Sequence, residues 1–180
     1  MKTKEVAYGG ISVALLAVCS WISIPLTIPF TFQTFAVFLI CLLFGGKRGT
    51  LYCLVYILAG AAGLPVFSGF RGGIHVLFDL TGGYIWGFLL SGLVLWVSQR
   101  WWQPHRISFI LFSMMGLCLC YSFGTIWFLF VSMQPITWVS VGSVLSICVV
   151  PFVVPDLIKI VLAYELGKRL KPFLIGGSYG

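Results

Sequence analysis

The sequence predicts an all-α integral membrane protein, a bundle of six transmembrane helices with both termini cytoplasmic, and three observations carry that expectation. Of 180 residues, 60% are hydrophobic and 8% charged, with mean hydropathy +1.08, where a soluble domain carries about 25% charged residues. Apolar runs recur at lengths that suit spanning helices, each of which needs roughly 20 residues. Basic residues fall in short groups between alternate runs. The chain is read as a single membrane domain over 1–180, with spans near 6–24, 33–44, 50–64, 81–98, 107–131 and 151–170. That leaves no room for a soluble catalytic domain.

The first span, Val6 to Ile24, stops at Pro25 and leads into the uncharged segment Leu26-Thr27-Ile28-Pro29-Phe30-Thr31-Phe32. Two prolines four residues apart favour an extended crossing. The start imitates a signal peptide, and Leu16-Ala17-Val18-Cys19 imitates a lipoprotein cleavage site. Val18 is bulky where a small residue is needed, so the segment is read as a retained helix. The second span begins at Gln33 and ends at Gly45-Gly46-Lys47-Arg48-Gly49. The third ends at Pro65, before a glycine-rich connection from Val66 to Leu80 that holds Arg71, His75 and Asp79. A polar stretch, Gln99 to Arg106, separates the fourth and fifth spans; Trp101-Trp102 within it reads as an interfacial anchor. The last apolar stretch, Trp138 to Ala163, is too long for one untilted span. Either a short interfacial helix at about 138–149 precedes a span starting near Pro151, or one helix kinks. Proline suits a first helical turn, which favours the break.

Charge sets the expected orientation. A cytoplasmic N-terminus and six spans place Lys2, Lys4, Lys47, Arg48, Arg100, Arg106, Lys168, Arg169 and Lys171 inside and only Arg71 in an outer loop, the bias the positive-inside rule describes. The net charge of +7 therefore reflects topology. A nucleic-acid binder would gather its basic residues on one solvated face, so no nucleic-acid partner is expected. The unusual loops then share the outer end, and the chain reads as a multi-pass protein of the cell membrane, surrounded by lipid.

The six cysteines lie within apolar segments without CxxC or Cys/His spacing, and His75 and His105 are far apart in the expected topology; neither a metal nor a cofactor is expected. Glu5 and Glu165 fall near the inner ends. Asp156 and Lys159 stand out, because an ionised side chain at mid-membrane costs on the order of 2.5–3.5 kcal/mol on insertion scales. Their spacing places them on one helix face, and the helix N-terminal dipole favours the carboxylate. Two readings stay open: a neutralising pair near the outer interface, or a ligand site. A carboxylate accepts hydrogen bonds and an ammonium donates them, so the pair suits a small head with both kinds of group, such as a cyclic urea.

Other candidates gather at the same end. Gln33 opens the second span, as an interfacial polar residue or a ligand contact. Gly72-Gly73 and Gly82-Gly83 flank Asp79 and permit either a tight turn or a loop folded over a ligand. Tyr84, Trp86, Trp127 and Phe67 could wall a pocket or face core and lipid. On the first span, Gly10 and Ala14 form a small-xxx-small stripe for internal packing or for a partner helix. Gly46-Lys47-Arg48 lacks the glycine and Ser/Thr of a phosphate-binding loop, and no GxSxG or HExxH occurs. Catalysis has no signature here, so an enzyme is not expected.

Four motifs, Pro29-Phe30-Thr31-Phe32-Gln33-Thr34, Gly63-Leu64-Pro65-Val66-Phe67, Thr81-Gly82-Gly83-Tyr84 with Gly87-Phe88, and Pro151-Phe152 followed by Asp156 and Lys159, resemble in order and spacing those of the BioY family. These are biotin-specific S-components of energy-coupling factor transporters. The resemblance, over about residues 5–170, implies a six-helix S-component that binds biotin at the outer face and delivers it inward. A transmembrane coupling subunit and a pair of cytoplasmic ATPases would supply the energy. It implies biotin contacts at Asp156 and Lys159, less directly at Tyr84, and a docking surface at Gly10 and Ala14. The outer-end residues Gln33, Gly73, Asp79 and Trp127 complete the candidate ligand set. One departure is plain: Asp79-Leu80 stands where the family has Gly-Pro. Two alternatives remain, an S-component for another vitamin such as thiamin, and a small intramembrane enzyme using Asp156 and Lys159 as acid and base.

Overall fold

The computed structural model describes residues 3–26, 28–103, 105–132, 142–146 and 149–175. Helix α1 (Thr3–Trp21) is followed by two short strands, β1 (Ser23–Ile24) and β2 (Phe30–Thr31), which pair antiparallel with Ser23 opposite Thr31. Then come α2 (Gln33–Phe44), α3 (Gly46–Ala61), a 3-10 turn at Ser68–Phe70, α4 (His75–Phe78), α5 (Gly82–Val97), α6 (Gln99–Trp102), α7 (Arg106–Val131) and α8 (Val150–Ile175). The extended crossing expected around Pro25 and Pro29 is thus a hairpin. Of the 138–149 segment, residues 142–146 are helical and most of the remainder lies outside the described residues.

Helix α2 is the axis of the bundle. Its residues from Gln33 to Leu43 are all buried, and it packs against α1, α3, α5 and α8. An apolar helix with no polar face needs neighbours all round, and α2 has them. The chain leaves it through Gly45, whose φ of 86° is a conformation residues with a Cβ rarely adopt. Antiparallel α5 and α7 form the tightest seam. A Cβ on Gly87 would stand 2.5 Å from the Cys120 sulfur, and one on Gly124 equally close to the Tyr84 ring. Ser91 Oγ bridges the seam by donating to the Gly116 carbonyl at 2.8 Å. Small residues at such a crossing bring helix backbones within van der Waals reach.

The outer surface of the bundle is apolar. Val154, Ile158, Leu162 and Leu166 are exposed along α8, as are Leu111, Leu119, Ile126 and Phe130 along α7. An apolar belt of this extent is what contact with lipid requires. Among the described helices, α7 alone is long and apolar enough to cross a membrane by length and composition, while α2 and α5 are shorter apolar helices.

Two of the ion pairs and the longer loops lie at opposite ends. Glu5 pairs with Arg48 at 2.8 Å and Glu165 with Arg106 at 3.1 Å, while Tyr8 Oη donates to the Leu174 carbonyl. These contacts join the starts of α1, α3 and α7 to the second half of α8. At the other end lie the β-hairpin and the 62–81 connection, tied together where Trp21 Nε1 donates to the Pro65 carbonyl at 2.9 Å and its ring stacks on Phe70. The expected Trp101-Trp102 anchor divides. Trp101 is exposed, but Trp102 is 2% exposed because the single turn of α6 folds it back, so that its Nε1 donates to the Leu95 carbonyl.

Candidate functional site

The most polar buried cluster sits between α8, α7 and the hairpin. Asp156 and Lys159, one turn apart on α8, meet at 2.7 Å, with side chains 6% and 4% exposed. The Lys159 ammonium also donates to the Thr31 carbonyl at 2.7 Å and stands 3.8 Å from the centre of the Phe30 ring. From α7, Tyr121 Oη donates to the second carboxylate oxygen at 2.5 Å. The hairpin therefore has a chemical purpose: pairing β1 with β2 leaves the Thr31 carbonyl aimed at the ammonium. Asp156 lies six residues after Val150, the first residue of α8, beyond the first turn where the helix dipole acts most strongly, so its charge is held by Lys159 and Tyr121.

Such a group satisfies the condition for burying charge, that it be paired and hydrogen-bonded. It is not saturated. Each carboxylate oxygen has room for a further donor, and the ammonium's remaining hydrogen faces the π-cloud of Phe30. Asp156, Lys159 and Phe30 all line a cavity with an empty volume of about 410 Å³. Its wall includes Asp156, Lys159 and Tyr121 with Tyr84, Phe88 and Phe152. A second compartment of about 390 Å³ adjoins it. The two share Ile28, Pro29, Thr31, Tyr84 and Phe88, and the second adds Gln33, Ser68, Arg71 and Thr81.

Of the residues singled out in the sequence, Asp156, Lys159 and Tyr84 meet in the first compartment, and Gln33 and Phe67 with Tyr84 in the second. Gln33 is buried; its Nε2 donates to Tyr56 Oη at 2.8 Å and its Oε1 accepts from Thr31 Oγ1. Gly73, Asp79 and Trp127 do not line either compartment. Gly73, at φ 105°, donates its N–H to the Gly60 carbonyl, and Trp127 Nε1 donates to the Asp79 carbonyl at 3.0 Å. Asp79 pairs with Arg71 at 2.8 Å and accepts from the Leu80 N–H at 2.7 Å. An ion pair and a side-chain-to-backbone hydrogen bond therefore brace the loop where the motif would have a proline turn.

Tyr121, Phe30 and Arg71 are among the wall residues that the sequence did not mark as contacts. Tyr121 lies 35 positions from Asp156 in an apolar run, and no local pattern connects the two. Tyr121→Phe is expected to weaken ligand binding about tenfold, because a hydrogen bond to a charged group contributes about 1.5–3 kcal/mol and Oδ2 loses its donor. Titration of both proteins in detergent measures the change.

The architecture is that of an S-component. The crystal structure of the S-component for biotin from an ECF-type ABC transporter superposes with a TM-score of 0.81, covering 94% of this chain and 92% of that one at 23% identity. Residues 1–175 match the model of the BioY family. The chain is 40% identical to the biotin transporter BioY of Thermotoga maritima, over 93% of this chain and 96% of the relative, and 35% identical to a probable biotin transporter BioY of Pyrococcus horikoshii, over 95% and 98%. The chain belongs to the BioY family.

Proposed function

We propose that this protein takes up biotin: it binds the vitamin at one end of a membrane bundle and delivers it inward, as a transport protein and not an enzyme. Family membership and the function named for its relatives support the substrate. The observation that carries the site is the buried Asp156–Lys159 pair, which lines a cavity whose wall is otherwise largely aliphatic and aromatic. A cyclic urea offers two N–H donors and one carbonyl acceptor, which the carboxylate and the ammonium complement.

In this reading α1, α2, α3, α5, α7 and α8 all cross the cell membrane, with both termini cytoplasmic. The gathering of Glu5–Arg48 and Arg106–Glu165 at one end supports that orientation through the positive-inside rule, and it places the cavity outward. Short α2 is no obstacle, because it is enclosed by protein and meets no lipid. Energy comes from elsewhere, since the chain has no phosphate-binding loop. It would work with a transmembrane coupling subunit and a cytoplasmic ATPase pair, docking through the α1 face that carries Gly10 and Ala14. That face is exposed, and a Cβ on Gly10 would meet nothing within 4 Å.

Titrating the purified chain in detergent with a vitamin panel tests the substrate. Saturable binding of biotin with thiamin and other vitamins inert is the expected result. Thiamin binding in its place would move the protein to another S-component specificity, and turnover of a lipid or peptide by the Asp156–Lys159 pair would make it an enzyme.

A further inference from the structure

The second compartment has a cationic wall that the ureido chemistry does not use. Arg71 lines it together with Ser68, Thr81 and Gln33. Its guanidinium is held in place three ways: Nη1 on Asp79 Oδ2 at 2.8 Å, Nη2 on Thr81 Oγ1 at 3.4 Å and Nε on the Ser68 carbonyl at 3.3 Å. The pair is half-exposed, with side chains 39% and 43% accessible. A guanidinium has five N–H donors in a planar fork that matches a carboxylate, so donors remain for an incoming group. The compartment also lies at the start of α5, whose positive dipole end favours an anion.

We infer that Arg71 is the carboxylate-reading residue of the site and that Asp79 is its built-in competitor. The inference rests on the biotin reading above. With the ureido head on Asp156 and Lys159, the aliphatic chain runs past Tyr84 and Phe88, the two aromatic residues common to both compartments, and its terminal carboxylate reaches Arg71. Asp79 occupies one edge of the guanidinium in the free protein, so the incoming carboxylate shares or replaces that ion pair. The Asp79 carboxylate thereby lowers affinity for acidic ligands and leaves neutral ones untouched. The same exchange loosens the 66–80 connection from its brace, which couples ligand entry to the loop at the mouth.

The test compares biotin with its primary amide, which keeps the ring system and lacks the charge. Titrations are run on the wild-type chain, Arg71→Gln and Asp79→Asn. Arg71→Gln is expected to weaken biotin about tenfold, the scale of a charge-assisted hydrogen bond, and to change amide binding less than about twofold. Asp79→Asn is expected to strengthen biotin about threefold relative to the amide, because a like charge leaves the subsite. Equal changes for both ligands in each variant overturn the proposal. If Arg71→Gln binds neither ligand, Asp79→Asn decides: a raised biotin-to-amide ratio supports the assignment and an unchanged ratio overturns it. A wild-type chain that binds neither overturns the biotin reading itself, whereas wild-type binding of both with the ratio unmoved overturns this inference alone.

Discussion

Asp156→Asn and Lys159→Met are each expected to weaken biotin binding by at least about a hundredfold and to lower thermal stability in detergent. Removing one member of a buried ion pair leaves the other charge largely buried and without its partner, at a cost of about 3–5 kcal/mol. Without Asp156, the Lys159 ammonium keeps the Thr31 carbonyl and the Phe30 ring but no counter-charge. Without Lys159, the carboxylate keeps the Tyr121 hydroxyl alone. The double variant Asp156→Asn/Lys159→Met separates the two roles. It leaves no unpaired charge, so stability is expected to recover toward the wild-type value while binding stays lost. A pair that served only to neutralise itself would give a stable double variant that still binds biotin. Thermal unfolding read together with titration of the three variants distinguishes these outcomes.

Gly10→Leu/Ala14→Leu is expected to abolish uptake and leave biotin affinity unchanged. Both residues lie on the exposed face of α1, away from the walls of the two compartments, so the added side chains meet no part of this chain's site. Small residues on a lipid-facing stripe let a second helix approach closely, and two leucines would hold it off. Uptake of labelled biotin by cells carrying the variant, alongside titration of the purified protein, measures both quantities. Wild-type uptake would remove the docking role from this face.

Much of the architecture was legible because its signals are local. The helix at Gln33–Phe44 coincides with an apolar run that ends at a glycine needing positive φ. Asp156 and Lys159 could be named because charge is rare in this chain and their spacing puts them on one helix face. What escaped depends on contacts between distant segments. Two-residue strands carry too little alternation to register as a hairpin, and it is that hairpin which brings the Thr31 carbonyl to Lys159. Tyr121 reads as one more aromatic residue in an apolar run until α7 packs beside α8. Trp102 looks like an interfacial anchor until the turn of α6 is seen to bury it. Asp79 illustrates the opposite case: the departure from Gly-Pro was visible, but its consequence, an ion pair with Arg71 at the mouth of the second compartment, required the fold.

The most direct test of the account is a structure of the protein with biotin bound. The account predicts the ureido ring in the first compartment, its nitrogens within hydrogen-bonding distance of the Asp156 carboxylate and its carbonyl oxygen within reach of Lys159 Nζ, with the tail passing Tyr84 toward Arg71. Biotin bound elsewhere, with the Asp156–Lys159–Tyr121 group making no contact to it, would contradict the central claim.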